Sequence, residues 1–389
     1  LGQMGCVGFM FGTGGSALVA MTLGEKKKER ANEYFTMIVA GTAIVGAIIS
    51  LIACFIMRPV AIWLGAEGEI ITDCVIYGRI MMIFNIAFML QNAFQGFFIT
   101  AEKPHLGLVT TVAAGLTNMV LDALLVGVLR WGVAGAAIAT VISQGISALL
   151  CVVYIKFKVP FIIPNKESFK GIKSMLGDEF KIGFPMGFQY SVISIGMMVL
   201  QFFVNGFGSS AVAAYTIGNR VQLFLQNPLN SMSIVMATFA GQNAGAKRYD
   251  RIKSGTKKGL LLCLVYSLVI GVLAFIFAEF LTSIFLSNSD PITMKYSIEF
   301  IRWNCIFEWS LGMLFIYRGV IQGLKDGIVP MIGSVLEVMM RVLSPLIFST
   351  TLGFASVSFA GPAAWSASAI LMIIVYFHKF RKLKRIGTL

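Results

Sequence analysis

Eleven apolar stretches of membrane-spanning length divide this 389-residue chain, and its positive charge is sorted between the gaps. About 20 apolar residues suffice to cross a bilayer as a helix. The stretches are read at 1–23, 33–57, 74–100, 105–129, 131–155, 181–205, 219–245, 258–282, 297–322, 328–352 and 354–378. Of 31 Lys and Arg, 23 fall in every second gap, around Lys26 to Arg30, Lys103, Lys156 to Lys181, Lys247 to Lys258, Lys325 and the tail from Lys379 to Arg385. The intervening gaps hold only Arg58, Arg130 and Lys295. The positive-inside rule makes the basic side cytoplasmic. The expectation is an all-α polytopic protein of the cell (plasma) membrane, with eleven transmembrane helices present and a cytoplasmic C-terminus.

With 57% hydrophobic and 13% charged residues, the chain cannot present an ordinary soluble surface. Its net charge of +13 does not read as a nucleic-acid footprint, because the charges are spread over short loops with no basic face. The partners expected are membrane lipids, with no nucleic acid, and the protein is expected to be a monomer. The six cysteines lie in or beside apolar segments without CxxC spacing, so no disulfide framework or zinc site is expected.

The polar interval from Lys156 to Phe180 separates five segments from six and reads as a cytoplasmic linker with room for one short amphipathic helix on the membrane. The domains expected are an N-lobe at 1–157, a linker at 158–180 and a C-lobe at 181–389. The Asn205 to Ser210 cluster is where the chain should turn. The two halves repeat. Leu23 to Ala31 matches Ala244 to Ile252 at an offset of 221, and Val120 to Leu125 matches Val342 to Ile347 at 222. Gln95-Gly96 answers Arg318-Gly319, and Ala134-Gly135 answers Ala360-Gly361. Copies of one orientation are parallel repeats about an axis along the membrane normal, as in secondary transporters. By the same offset the first helix of the N-lobe is missing, and a chain beginning with Leu is expected to be N-terminally truncated.

Ionisable groups in hydrocarbon are costly and call for a partner or a function. Asp122 has Asn118 one helical turn before it, and Thr140 in the next helix can fall at similar depth. A carboxylate, an amide oxygen and a hydroxyl make a hard-cation site, and the same carboxylate can instead carry a proton. The repeat partner of Asp122 is Ser344, so packing symmetry does not demand an acid there. Glu308 stands in an uncharged run, where it serves a cationic substrate, a proton or a structural pairing. Glu337 and Arg341, spaced i, i+4, most simply neutralise one another.

Pro185 and Pro228 should break the hydrogen-bond ladder inside spans and open a cavity. Met186 and Met232 on those helices suit an adaptable lining. Gln189, Met186, Glu308 and Met232 are the expected substrate-binding side chains. No enzyme is expected: His105 and His378 are the only histidines, and no HExxH, GxSxG or phosphate-cradling motif is present. No cofactor is expected, and energy must come from a gradient, with H+ or Na+ as coupling ion.

The residues resemble the multidrug and toxic compound extrusion (MATE) family. The resemblance rests on Gly12-Thr-Gly-Gly-Ser-Ala-Leu-Val-Ala20, Leu23-Gly24, Glu29-Arg-Ala31, Asn118-Met-Val-Leu-Asp122, Trp131-Gly-Val-Ala-Gly-Ala-Ala-Ile-Ala-Thr140 and Gly241-Gln-Asn-Ala-Gly-Ala246. It implies two parallel-repeat six-helix bundles and cation-coupled export of amphipathic, often cationic drugs by alternating access. It also implies that Asn118, Asp122 and Thr140, with Gln95 as a fourth member, form the cation site of the N-lobe. In a sodium-coupled protein Asp122, Asn118 and Thr140 would be the metal ligands. The family's first-helix acid lies outside this chain, and the span 181–205 has no carboxylate for the C-lobe sodium site of another branch. The alternative is a lipid-linked oligosaccharide flippase of the same superfamily, which would need Arg302, Arg318 and Arg341 around an anionic ligand.

Overall fold

The computed structural model describes residue 8 and residues 10–63, 68, 70–158, 172–286 and 290–385. The start of the first apolar segment and most of the expected linker, residues 159–171, lie outside the described residues. A π-helical turn, Met10–Gly14, leads into α1 (Gly15–Gly24). There follow α2 (Lys28–Trp63), α3 (Ile70–Ile83), α4 (Asn85–Thr100), α5 (Pro104–Asp122), a second π-helical stretch (Ala123–Val128) and α6 (Gly132–Lys158). The remaining helices are α7 (Ile172–Asn205), α8 (Ser209–Gly245), α9 (Tyr249–Ile276), α10 (Ala278–Ser283), α11 (Pro291–Ile306), α12 (Glu308–Gly323), α13 (Ile328–Leu352) and α14 (Ala355–Arg385). No strand occurs among the described residues.

Among the described residues, seven helices are long and apolar enough to cross a membrane, or up to eight if the bent pair α3 and α4 is one span. A helix satisfies its backbone polar groups within itself, which hydrocarbon requires. Side-chain distribution makes the same point. On α9 the buried positions include Gly259, Cys263, Ser267, Gly271 and Ala274, while Leu261, Leu262, Val265, Leu268, Val269 and Val272 face outward. Small residues inside and large apolar residues outside invert the soluble pattern and suit helices packed against one another in lipid.

The chain forms two compact units. The first comprises Gln3–Leu23 and Lys27–Gly183; within it α5 packs on α6, α2 on α3 and α4, and the Met10–Gly14 turn on α4. The second is built chiefly from Phe184–Leu389, where α8 packs on α11 and α12, α12 on α9 and α14, and α13 on α14. Gly319 and Gly323 let α12 approach α8: a Cβ at either would stand 2.3 Å from a backbone oxygen, that of Ser233 or of Ala237.

Three expectations change. The helices run through Pro185 and Pro228, and the breaks fall at Phe84, Phe277 and Phe307, each near φ −100° with ψ close to zero. The segment read at 74–100 is bent by 48° at Phe84. Finally, α7 begins at Ile172, because the residues before Lys181 continue its buried face: Glu179, Ile182, Gly183, Met186 and Gln189 are all enclosed. The turn at Asn205 to Ser210 is present, with Gly208 at φ +91°, a backbone that favours glycine.

Candidate functional site

Asp122 is the last residue of α5, at the point where the α-helix widens into the π-helical stretch Ala123–Val128. Such widened turns recur at functional sites because they disturb the regular backbone pairing. Asn118 and Asp122 are half-buried. The Asn118 Nδ2 donor and the Asp122 Oδ1 acceptor are enclosed and have no hydrogen-bond partner. Thr140, on the neighbouring α6, donates its hydroxyl to the Ala136 carbonyl at 3.0 Å and keeps its oxygen lone pairs for another ligand. Gln95 on α4 donates from Nε2 to Thr111 Oγ1 on α5 at 2.9 Å, so its hydrogen bond goes to that hydroxyl. Among the described residues no three His, Cys, Asp or Glu side chains converge on a metal site. Of the four expected cation-site residues Asp122 is the one carboxylate, and Asn118, Thr140 and Gln95 carry neutral oxygens.

The second unit holds a buried polar layer on α7, α8, α12 and α13. Gln322 on α12 donates to Gln189 Oε1 on α7 at 3.2 Å, and both are enclosed. Met186, one turn before Gln189, is fully buried, and Met232 packs against the core that surrounds Leu229 and Met236. Glu308 opens α12 with no exposed surface and accepts a 2.8 Å hydrogen bond from Gln222 on α8. Gln189 and Glu308 therefore engage different partners.

Glu337 does not simply neutralise Arg341. Arg318 reaches across from α12 and pairs closely with Glu337 Oε1, while Arg341 lies 3.8 Å from Oε2. Two buried guanidinium groups thus share one carboxylate, and Arg318 Nε and Arg341 Nη1 remain without partners. Arg302 is elsewhere, its guanidinium 5.0 Å over the Phe275 ring.

Glu179 escaped the sequence reading. The interval up to Phe180 reads as a linker, yet Glu179 is 1% exposed on α7 and both its oxygens lack partners. Its signal was its spacing of i+4 to Gly183 and i+7 to Met186, one continuous helical face.

The MatE family profile matches residues 2–124 and 185–347, well over half of the chain. The chain belongs to the MATE family. Curated relatives align over nearly the whole chain. The probable multidrug resistance protein YoeA of Bacillus subtilis (strain 168) is 25% identical over 97% of this chain and 83% of its own length. The multidrug export protein MepA of Staphylococcus aureus (strain MW2) is 24% identical over 96% of this chain and 83% of its own. The fold is likewise that of solved MATE structures. An outward-facing multidrug resistance MATE transporter of the MOP superfamily aligns with a TM-score of 0.93 at 20% identity, covering 98% of this chain and 86% of that one. A MOP superfamily transporter from Pyrococcus furiosus, described as having a binding pocket of reverse polarity, aligns at 0.92 with 20% identity and the same coverage.

Proposed function

We propose that this MATE protein is a secondary active efflux transporter of the plasma membrane, exchanging H+ or Na+ for amphipathic, often cationic drugs by alternating access. The observation that carries the ion half is Asp122 Oδ1, enclosed and unpartnered at the α-to-π junction of α5. Leaving such atoms unpaired is costly unless a ligand completes them in part of the cycle. Export of drugs is supported by what YoeA and MepA are described as doing. The eleven apolar segments are eleven spans in two lobes on this reading, with the C-terminal basic tail cytoplasmic. Entry of the ion at Asp122 favours the drug-releasing state, and drug bound from the cytoplasm favours release of the ion. Such coupling requires that each ligand bind the two states unequally.

A flippase for lipid-linked oligosaccharide is the second reading, favoured by the surplus positive charge of Arg318 and Arg341 over Glu337. Reconstitution into liposomes separates the two. Ethidium movement under an imposed pH gradient or an imposed Na+ gradient establishes antiport and names the ion. Silence under both, with binding of a pyrophosphate-linked lipid, would replace antiport by the flippase.

A further inference from the structure

Glu179 sits where α7 crosses the π-helical turn Met10–Gly14, inside the first unit. The crossing is closer than any side chain allows. A Cβ on Gly14 would stand 2.6 Å from Gly183 Cα and 3.2 Å from Glu179 Oε1, and a Cβ on Gly183 would stand 2.9 Å from both Glu179 Oε1 and the Met10 carbonyl oxygen. Two glycines and a backbone carbonyl therefore wall in the carboxyl group, and neither of its oxygens finds a donor.

Among the described residues, the charged groups nearby do not compensate it. Residues 10–24 contain nothing ionisable. From α2, Tyr34 gives its hydroxyl to Asp178 Oδ2 at 2.8 Å, and Arg30 lies 5.8 Å from the centre of the Tyr34 ring. On α7 itself, Lys181 is exposed, and the Asp178 carboxyl is engaged with the Tyr34 hydroxyl. A carboxylate anion enclosed without donor or counter-charge is among the costliest groups to bury, and the ordinary escape is to hold a proton.

We propose that Glu179 is a proton-binding site of the first unit, separate from Asp122, closed in as the neutral acid by the Met10–Gly14 turn and exchanging its proton with water when that crossing opens. The exchange is the simple loss of H+ from the carboxyl group. Its place in coupling rests on the antiport reading above; its protonation does not.

The test begins with infrared difference spectra of the purified full chain across acid to alkaline pH, for the native protein, Glu179→Gln and, as a control, Glu308→Gln. The expected result is a protonated-carboxyl carbonyl band that persists above neutral pH and is missing only from Glu179→Gln. That variant should keep native thermal stability, since an amide is the neutral acid's isostere. In proteoliposomes it should lose at least tenfold of pH-driven ethidium efflux. A band unchanged in Glu179→Gln, or a Glu179→Gln protein that does not fold, would overturn the site. Native efflux with a native pH profile in that variant would overturn its part in coupling. Native protein that keeps the Glu179 band but moves no ethidium would sink the antiport reading and leave the site standing.

Discussion

Gln222 on α8 donates a 2.8 Å hydrogen bond to Glu308 Oε2, at the first residue of α12 and directly after the break at Phe307. The carboxyl group is fully enclosed, and its other oxygen, Oε1, has no hydrogen-bond partner. Gln222 supplies the side-chain donor.

Removing the donor should therefore hurt more than changing the acid. Gln222→Leu strands an enclosed acceptor and should cost about 1–3 kcal/mol, whereas Glu308→Gln keeps an acceptor for Gln222. Thermal unfolding of the purified variants ranks them, and a more stable Gln222→Leu would refute the pairing.

Glu337 holds two guanidinium groups. Glu337→Ala leaves Arg318 and Arg341 buried and uncompensated, a change that should cost about 3–5 kcal/mol, the usual penalty for breaking a buried ion pair from one side. Glu337→Gln should fall between it and the native protein. Equal melting temperatures for all three would show that the arginines reach another anion.

How far the sequence carried this picture depends on range. Apolar runs and charge sorting follow from the local requirement that a span be uncharged, so the helical segments and the turn near Gly208 were legible. The breaks were not: Phe84, Phe277 and Phe307 have no Gly or Pro beside them to signal one, while the expected sites Pro185 and Pro228 lie inside helices. Asn118 and Asp122 could be paired by spacing alone. Arg318 with Glu337 could not, because the contact joins two helices, and Glu179 was hidden by surrounding lysines that resemble a linker.

Gly319 and Gly323 form a small-residue stripe where α12 meets α8. Alanine at either would drive Cβ into backbone oxygen at 2.3 Å, and backbone cannot rotate away. Each substitution should cost about 1–3 kcal/mol. Gly145 on α6 has open space around its Cβ position, so Gly145→Ala should be neutral or stabilise by about 0.5–1 kcal/mol. A tolerated Gly323→Ala would mean that the two helices are farther apart.

Asp122→Asn should abolish gradient-driven ethidium efflux, a loss of at least tenfold, while leaving the melting temperature close to native. The amide keeps the size of the side chain and its acceptor but cannot gain or lose a proton at the working pH. Efflux at the native rate in this variant would remove Asp122 from the coupling site.

Asp290 provides a pH test outside the spans. It caps α11, accepting hydrogen bonds from the Thr293 hydroxyl at 2.6 Å, the Ser210 hydroxyl at 2.7 Å and the backbone N–H of Ile292 at 3.2 Å and of Thr293 at 3.3 Å. The Thr293 hydroxyl first, and then that of Ser210, hold its carboxyl below the ordinary value of 3.8. A carboxyl depressed by folding stabilises the folded state above its unfolded value, and that contribution is lost as pH falls through the folded one. Asp290→Asn keeps a capping acceptor but has no charge to lose. The native protein should therefore be the more stable of the two above the ordinary carboxyl range, and the gap should close as the solution is acidified below about pH 3.8. Thermal unfolding of both proteins across that range measures it. A gap that widens in acid would mean that Asp290 is destabilised, not stabilised, by its hydroxyl partners.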